Sequence, residues 1–213
     1  MARIVKKPAE RKLEIVKAAR HLFQSRGYDD TSMQDVMEYL SIAKGTIYYY
    51  FKSKEELLEA VVDDIGAELL QRMEVAVDQS TGNALEKLRV LILAGNASEE
   101  TGNILEELHR PGNLSLHVRL LAVALEQQAV IYARVFQLGC DEGIFQTDTP
   151  LETAEFILSA VQFMTDEGIY PWSPATLERR VAALPRLIET QLKAPAGSLQ
   201  FLFTDLPHPG ESS

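Results

Sequence analysis

A chain of 213 residues, 46% of them hydrophobic, is long enough for one small and one larger globular domain. Its formal net charge of −10 and pI near 4.9 exclude a uniformly basic nucleic-acid binder, and its single cysteine, Cys140, excludes an intrachain disulfide framework. The charge is divided, however: residues 1–54 carry 11 Lys+Arg against 6 Asp+Glu, whereas the remainder carries 10 against 25.

The first predicted helix begins near Pro8, and Ile15, Ala18, Ala19, Leu22 and Phe23 give it one apolar stripe. Gly27 is placed to end it in a left-handed cap. Arg3, Lys6, Lys7, Arg11 and Lys12 gather cations before and at its start, which suits either an arm on a nucleic-acid backbone or a solvated terminus. Thr31 and Gln34 form a capping box for a second helix, whose Met33, Val36, Met37 and Leu40 recur at helical spacing. A turn follows at Ser41. The next short helix, Lys44 to Phe51, sets Ile47 and Phe51 on one side and projects Lys44, Thr46, Tyr48 and Tyr49 elsewhere. Ser53 and Glu56 form another capping box and start a long helix.

Two helices about a tight turn, the second with a polar and aromatic outer face, match a helix-turn-helix that reads DNA. Lys44 and Gly45 stand at the amino end of the second helix, where side chains meet base edges, and Gly45 permits close approach. Hydroxyls of Thr46, Tyr48, Tyr49 and Tyr50 are donors for phosphate oxygens, and Lys54 adds a cation. A purely structural role suits Phe51 and Tyr50. Consecutive helical positions point in different directions, so it does not account for all four aromatics.

The run Ile42-Ala43-Lys44-Gly45-Thr46-Ile47-Tyr48-Tyr49-Tyr50-Phe51-Lys52-Ser53-Lys54-Glu55-Glu56-Leu57 resembles the amino-terminal signature of the TetR family of bacterial transcriptional regulators. That resemblance implies base contacts from Lys44, Gly45 and Tyr49, phosphate contacts from Thr31, Ser32, Tyr48, Tyr50 and Lys54, and a base-facing Gln34. Three positions depart from the family pattern. Ser41 replaces a turn glycine, Ala43 replaces a serine or threonine that would cap the recognition helix, and Met37 replaces a small alanine.

Beyond residue 54 the chain reads as helical throughout. A long helix runs to about Val77, and Asn83 with Glu86 caps another through Leu93. A short helix is predicted near Ser98 to Leu108, ahead of Pro111-Gly112. Leu114 to Gly139 is apolar almost all round, as in a central buried helix; Arg119, Glu126, Gln127, Gln128 and Arg134 exclude it as a membrane span. Thr149-Pro150-Leu151-Glu152 and Ser173-Pro174 start two further helices. The first is apolar on two sides, with Ala154, Ile157, Leu158, Val161 and Met164 on one and Phe156, Ala160 and Phe163 on another. The second carries Leu177, Val181, Leu184, Ile188 and Leu192, with Pro185 inside it. Surplus apolar surface here predicts a subunit interface, and the family resemblance implies a four-helix homodimer bundle. Leu199 to Phe203, in the tail from Ala194, is an apolar segment that either docks or stays mobile.

The expected architecture is therefore all-α: a helix-turn-helix DNA-binding domain over 1–54, a larger helical effector-binding and dimerisation domain over 55–193, and a tail over 194–213. The expected function is a ligand-responsive repressor that reads a palindromic operator as a dimer. Its partners would be double-stranded DNA, a second copy and an unidentified small molecule. Candidates for the effector pocket are His109, His117, Gln128, Tyr132, Phe136, Gln162, Phe163 and Trp172. His109 and His117 fall outside recognised ligand spacings, so neither metal nor cofactor is expected. No nucleophile–base pair or phosphate loop points to an enzyme. With no signal peptide ahead of the fold, the lone thiol points to a cytoplasmic compartment, and as a residue it reads as small and buried. The competing reading is a helical interaction protein that offers Tyr48 to Tyr50 to a protein partner.

Overall fold

A computed structural model describes residues 7–95 and 102–204. The described residues are helical, with no strand among them. They form two compact units, one of residues 7–68 with 102–108 and the other of 69–95 with 109–204. The division falls within a helix, whereas the sequence placed it between residues 54 and 55. The first turns of that helix bury Leu57, Leu58 and Val61, so they belong to the core of the first unit.

In the first unit, α1 (Pro8–Arg26) buries Ile15, Val16, Ala18, Ala19, Leu22 and Phe23, the predicted stripe with one addition. The Gly27 N–H closes it by donating to the Phe23 carbonyl at 3.0 Å. Gly27 has φ 89° and ψ 158°, so the helix ends at a positive-φ glycine outside the left-handed helical region that was expected. Helix α2 (Met33–Leu40) begins one residue later than the Thr31–Gln34 box requires. Its N-cap is Ser32, whose Oγ accepts the Asp35 N–H at 3.2 Å while the Asp35 carboxylate accepts the Ser32 N–H at 2.8 Å. Thr31 is instead an interior residue, 1% exposed, donating its hydroxyl to the Gly27 carbonyl at 2.8 Å. Gln34 faces outward and bonds Glu38 at 2.7 Å.

Ser41 ends α2 in the left-handed region at φ 52° and ψ 45°, which explains why glycine suits this turn. Helix α3 (Lys44–Tyr50) follows, and then α4 (Lys54–Gln79), capped by Ser53 Oγ on the Glu56 N–H at 3.2 Å. Glu56 reaches back to the Lys52 N–H, not to that of Ser53. Arg20 ties α1 to α4 through Glu68 at 2.6 Å and Asp64 at 3.4 Å. The short α6 (Gly102–Leu108) adds buried Ile104 and Leu108. Residues 98–101 of the predicted helix lie outside the described residues, as do Arg3 and Lys6 of the basic arm.

The second unit contains the end of α4 with α5 (Ala84–Gly95), α7 (Leu114–Asp141), α8 (Pro150–Thr165), α9 (Pro174–Leu192) and α10 (Phe201–Thr204). Asn83 and Glu86 cap α5 reciprocally, at 3.1 and 2.8 Å. Thr149 precedes Pro150 as predicted, but its hydroxyl makes no cap; Ser173 does cap α9, accepting the Thr176 N–H at 3.3 Å. The core gathers Met73, Leu88, Leu91, Ala129, Ile131, Phe136, Phe145, Ile157 and Leu192. Leu199 and Leu202 join it, so the tail docks that far; residues 205–213 lie outside the described residues. Glu189 fastens the approach by accepting the Leu199 N–H at 2.9 Å.

Helix α7 is not the fully buried rod that its composition suggested. Its mean hydropathy of 1.2 over an apolar window is high enough for a membrane span by composition, and it packs against α5 and α8. Yet Val118, Val123 and Val130 remain exposed, because a single layer of neighbours covers only part of its circumference.

Candidate nucleic-acid interface

Helix α3 has seven residues and only Ile47 of them buried, so one anchored side chain seats the helix and the rest is available to a ligand. Phe51, just beyond it, is also buried, with the Lys12 Nζ 5.5 Å from its ring centre. Tyr49 is 72% exposed, and its ring meets Tyr50 edge-on at 4.9 Å. Tyr48 and Tyr50 are half-buried, each leaving part of the ring in solvent. Lys44 is exposed, with its Nζ 5.6 Å from the Tyr48 ring centre. Thr46 is half-buried on the first turn. A Cβ added at Gly45 would meet nothing within 4 Å, so no neighbour among the described residues demands glycine there.

The amino end of α3 lacks a side-chain cap. Ala43 occupies the N-cap at φ −72° and ψ 150° with no hydroxyl to offer, as its departure from the family pattern predicts. Compensation comes at the other end, where Lys52 Nζ donates to the Tyr48 carbonyl at 2.6 Å. Lys52 is not among the residues the motif points to, although its place four residues beyond Tyr48 is a spacing the sequence displays.

Lys54 is engaged by its own fold. Its Nζ donates to the Tyr28 carbonyl at 2.7 Å and lies 4.0 Å from the Tyr28 ring centre. Burial pushes the Tyr28 phenol up to about 12, reinforced by the carboxylates of Glu55, Glu107 and Asp29. Tyr28 therefore fixes the start of α4 from beneath, a role invisible without tertiary contacts. Thr31, with its hydroxyl buried, has no free side chain for a phosphate, whereas Ser32 and Gln34 are exposed. The Ser32 hydroxyl and N–H hold the Asp35 carboxyl below its ordinary range, with Arg26 at 3.7 Å adding to the effect.

The eight effector-pocket candidates have different surroundings. Phe136 is core, meeting Phe145 at 6.1 Å, and Tyr132 packs beside it at 6.2 Å with burial raising its phenol. Phe163 lies 60% exposed on α8, and Gln128 and Gln162 are half-buried. Trp172 carries the Arg180 guanidinium 3.9 Å from its ring centre, and its indole N–H is buried with no hydrogen-bond acceptor among the described residues. His109 and His117 do converge, edge to face at 5.1 Å, and they meet Asp166, which was not a candidate.

Comparison with known proteins agrees with this geometry. Residues 15–61 match the model of bacterial regulatory proteins of the tetR family, and residues 96–187 match a tetracyclin repressor-like C-terminal domain. The chain is 25% identical over 177 residues to the HTH-type transcriptional repressor KstR2 of Mycolicibacterium smegmatis, covering 81% of this chain and 85% of that one. It is 25% identical over 166 residues to the uncharacterized HTH-type transcriptional regulator YfiR of Bacillus subtilis, covering 76% and 81%. Its fold resembles a transcriptional regulator from Cytophaga hutchinsonii, with TM-score 0.64 and 21% identity over 85% of this chain and 97% of that one. A TetR-family regulator from Pectobacterium atrosepticum gives 0.58 and 22%, over 89% and 100%.

Proposed function

Because this chain belongs to the TetR family and is a DNA-binding transcriptional regulator, we propose that it acts as a homodimeric repressor that reads a palindromic operator and releases it when a small molecule occupies the second unit. The observation that carries the DNA-reading face is the pairing of an exposed Tyr49 with an open Gly45 on α3. An aromatic ring left in water and a glycine that no neighbour requires both make sense against a surface brought from outside. Lys44, Gly45 and Tyr49 then meet base edges, with Gln34 beside them. Ser32, Thr46, Tyr48 and Tyr50 meet phosphates. Lys54 supports this face by holding the Tyr28 carbonyl, and its contact with phosphate requires exchange of that bond.

The dimer is supported by Phe156 and Phe163, about two turns apart on α8 and 61% and 60% exposed, with Leu187 exposed on α9. Covering that surface with a second copy relates two α3 helices by a twofold axis, which matches an inverted repeat.

Selection of bound sequences from random duplex DNA by the full-length protein tests the reading. An inverted repeat is expected, and Lys44→Ala with Tyr49→Ala should weaken its binding by roughly 30-fold or more, at about 1–3 kcal/mol for each base-edge contact. Absence of enrichment would overturn it. Partner binding that survives both substitutions and lacks steep salt dependence would assign the aromatic face to a protein instead.

A further inference from the structure

We propose that His109, His117 and Asp166 form a binding site for one divalent transition-metal ion, with Zn2+ the dication they suit best. The site goes beyond the regulator reading and does not depend on it. One ligand atom from each residue lies within 4.8 Å of the other two. Two imidazole nitrogens and one carboxylate oxygen suit a borderline dication, whereas Ca2+ and Mg2+ favour oxygen-only shells.

Three separate segments supply the donors. His109 follows α6, His117 sits in the first turns of α7, and Asp166 is the C-cap of α8. His117 is 4% exposed, and its Nε2 lies 2.9 and 3.1 Å from the two Asp166 oxygens. A metal about 2.0–2.2 Å from each donor needs donor separations of roughly 3.3 Å, so an ion replaces the proton shared by His117 and Asp166 with a small widening, and the exposed His109 closes on it by up to about 1.5 Å. The Ile169 N–H donates to Asp166 Oδ1 at 2.9 Å and sets the carboxylate's direction, the kind of outer partner that metal ligands require.

A structural His117–Asp166 hydrogen bond accounts for that pair alone. It does not account for His109, which is exposed yet turned edge-on to His117 at 5.1 Å. Nor does it account for Gly168, which has no positive φ to explain it. A Cβ there would stand 2.4 Å from His109 Cδ2 and 3.0 Å from His117 Nε2. Both rings therefore lie against bare backbone, in space a side chain would fill. Exposed His109 gives the ion an entry path, and three protein ligands leave a tetrahedral ion one position for water or a donor atom of the effector.

The test uses untagged full-length protein, stripped with chelator and titrated with Zn2+ against a chromophoric competitor. One ion per chain is expected, with a Zn2+-dependent rise in melting temperature. His109→Ala leaves the His117–Asp166 bond in place, so melting without metal should stay unchanged while Zn2+ affinity falls at least about tenfold. Gly168→Ala should weaken Zn2+ in the same direction. Failure of the wild type to take up stoichiometric Zn2+ would overturn the proposal, as would equal affinity in His109→Ala. Neither result depends on operator binding.

Discussion

The two units differ in what they leave in water. Among the described residues of the first, the large apolar side chains that remain exposed are Leu13, Tyr39 and Tyr49. The second leaves Val75, Leu93, Leu114, Val118, Val123, Val130, Leu151, Phe156, Phe163, Tyr170 and Leu187 exposed, spread over α4, α5, α7, α8, α9 and the loop before α9. The first unit is thus close to complete as a hydrophobic object, and its most exposed aromatic ring, Tyr49, stands on a helix seated by Ile47. The second has built one core around Phe136 and Leu192 and kept apolar surface beyond it. A small unit with local caps needs only a ligand, whereas the larger unit has surface that a second copy would cover.

The largest effect should come from breaking that asymmetry. Phe156→Glu combined with Phe163→Glu is expected to convert a dimer to a monomer in sedimentation velocity and to lower operator affinity by about 100-fold or more, with helix content preserved. A variant that stays dimeric with unchanged affinity would place the interface elsewhere. A smaller effect should sharpen the account of the first unit. Ser41→Gly relieves a left-handed residue at the turn between α2 and α3 and should stabilise the protein by about 0.5–1 kcal/mol, read as a higher denaturation midpoint. A lower midpoint would mean that the loss of Ser41 costs more than the relief of its backbone.

The smallest effect concerns pH. The Asp35 carboxyl is held below its ordinary value by Ser32, so its stabilisation is present above the usual carboxylate range and is lost as pH falls through the depressed value. Melting curves of the wild type and Asp35→Asn should therefore differ near neutrality and converge on acidification below roughly pH 4. A gap that persisted at low pH would assign the cap's contribution to hydrogen bonding that the amide cannot reproduce.

Much of the first unit was legible because its signals are local. Capping residues, the apolar spacing of α1 and α2, and the Lys44–Phe51 run each act within a turn or two of chain. The α2 cap shows the limit of that reading. Thr31–Gln34 and Ser32–Asp35 both satisfy the box spacing, and the choice falls to Ser32 because Thr31 is drawn inward by the Gly27 carbonyl. Lys54 was legible as a cation near DNA but not as a partner of Tyr28, which lies 26 positions away. In α7 the composition was read correctly as apolar, yet burial depends on how many neighbours surround the helix, and the described unit supplies them on one side.

The sequence by itself determined that the chain is helical, that a helix-turn-helix occupies its basic end, and that Lys44, Gly45 and Tyr49 stand together on a short helix. These follow from periodicity and side-chain chemistry within one or two turns. Only the tertiary structure decided that Thr31 is interior and that Lys54 braces Tyr28. It also left Phe156 and Phe163 in solvent and joined His109 and His117 to an aspartate 49 residues beyond His117. Each of those outcomes depends on which distant segments meet, and chain spacing carries no record of that once the backbone has turned back on itself.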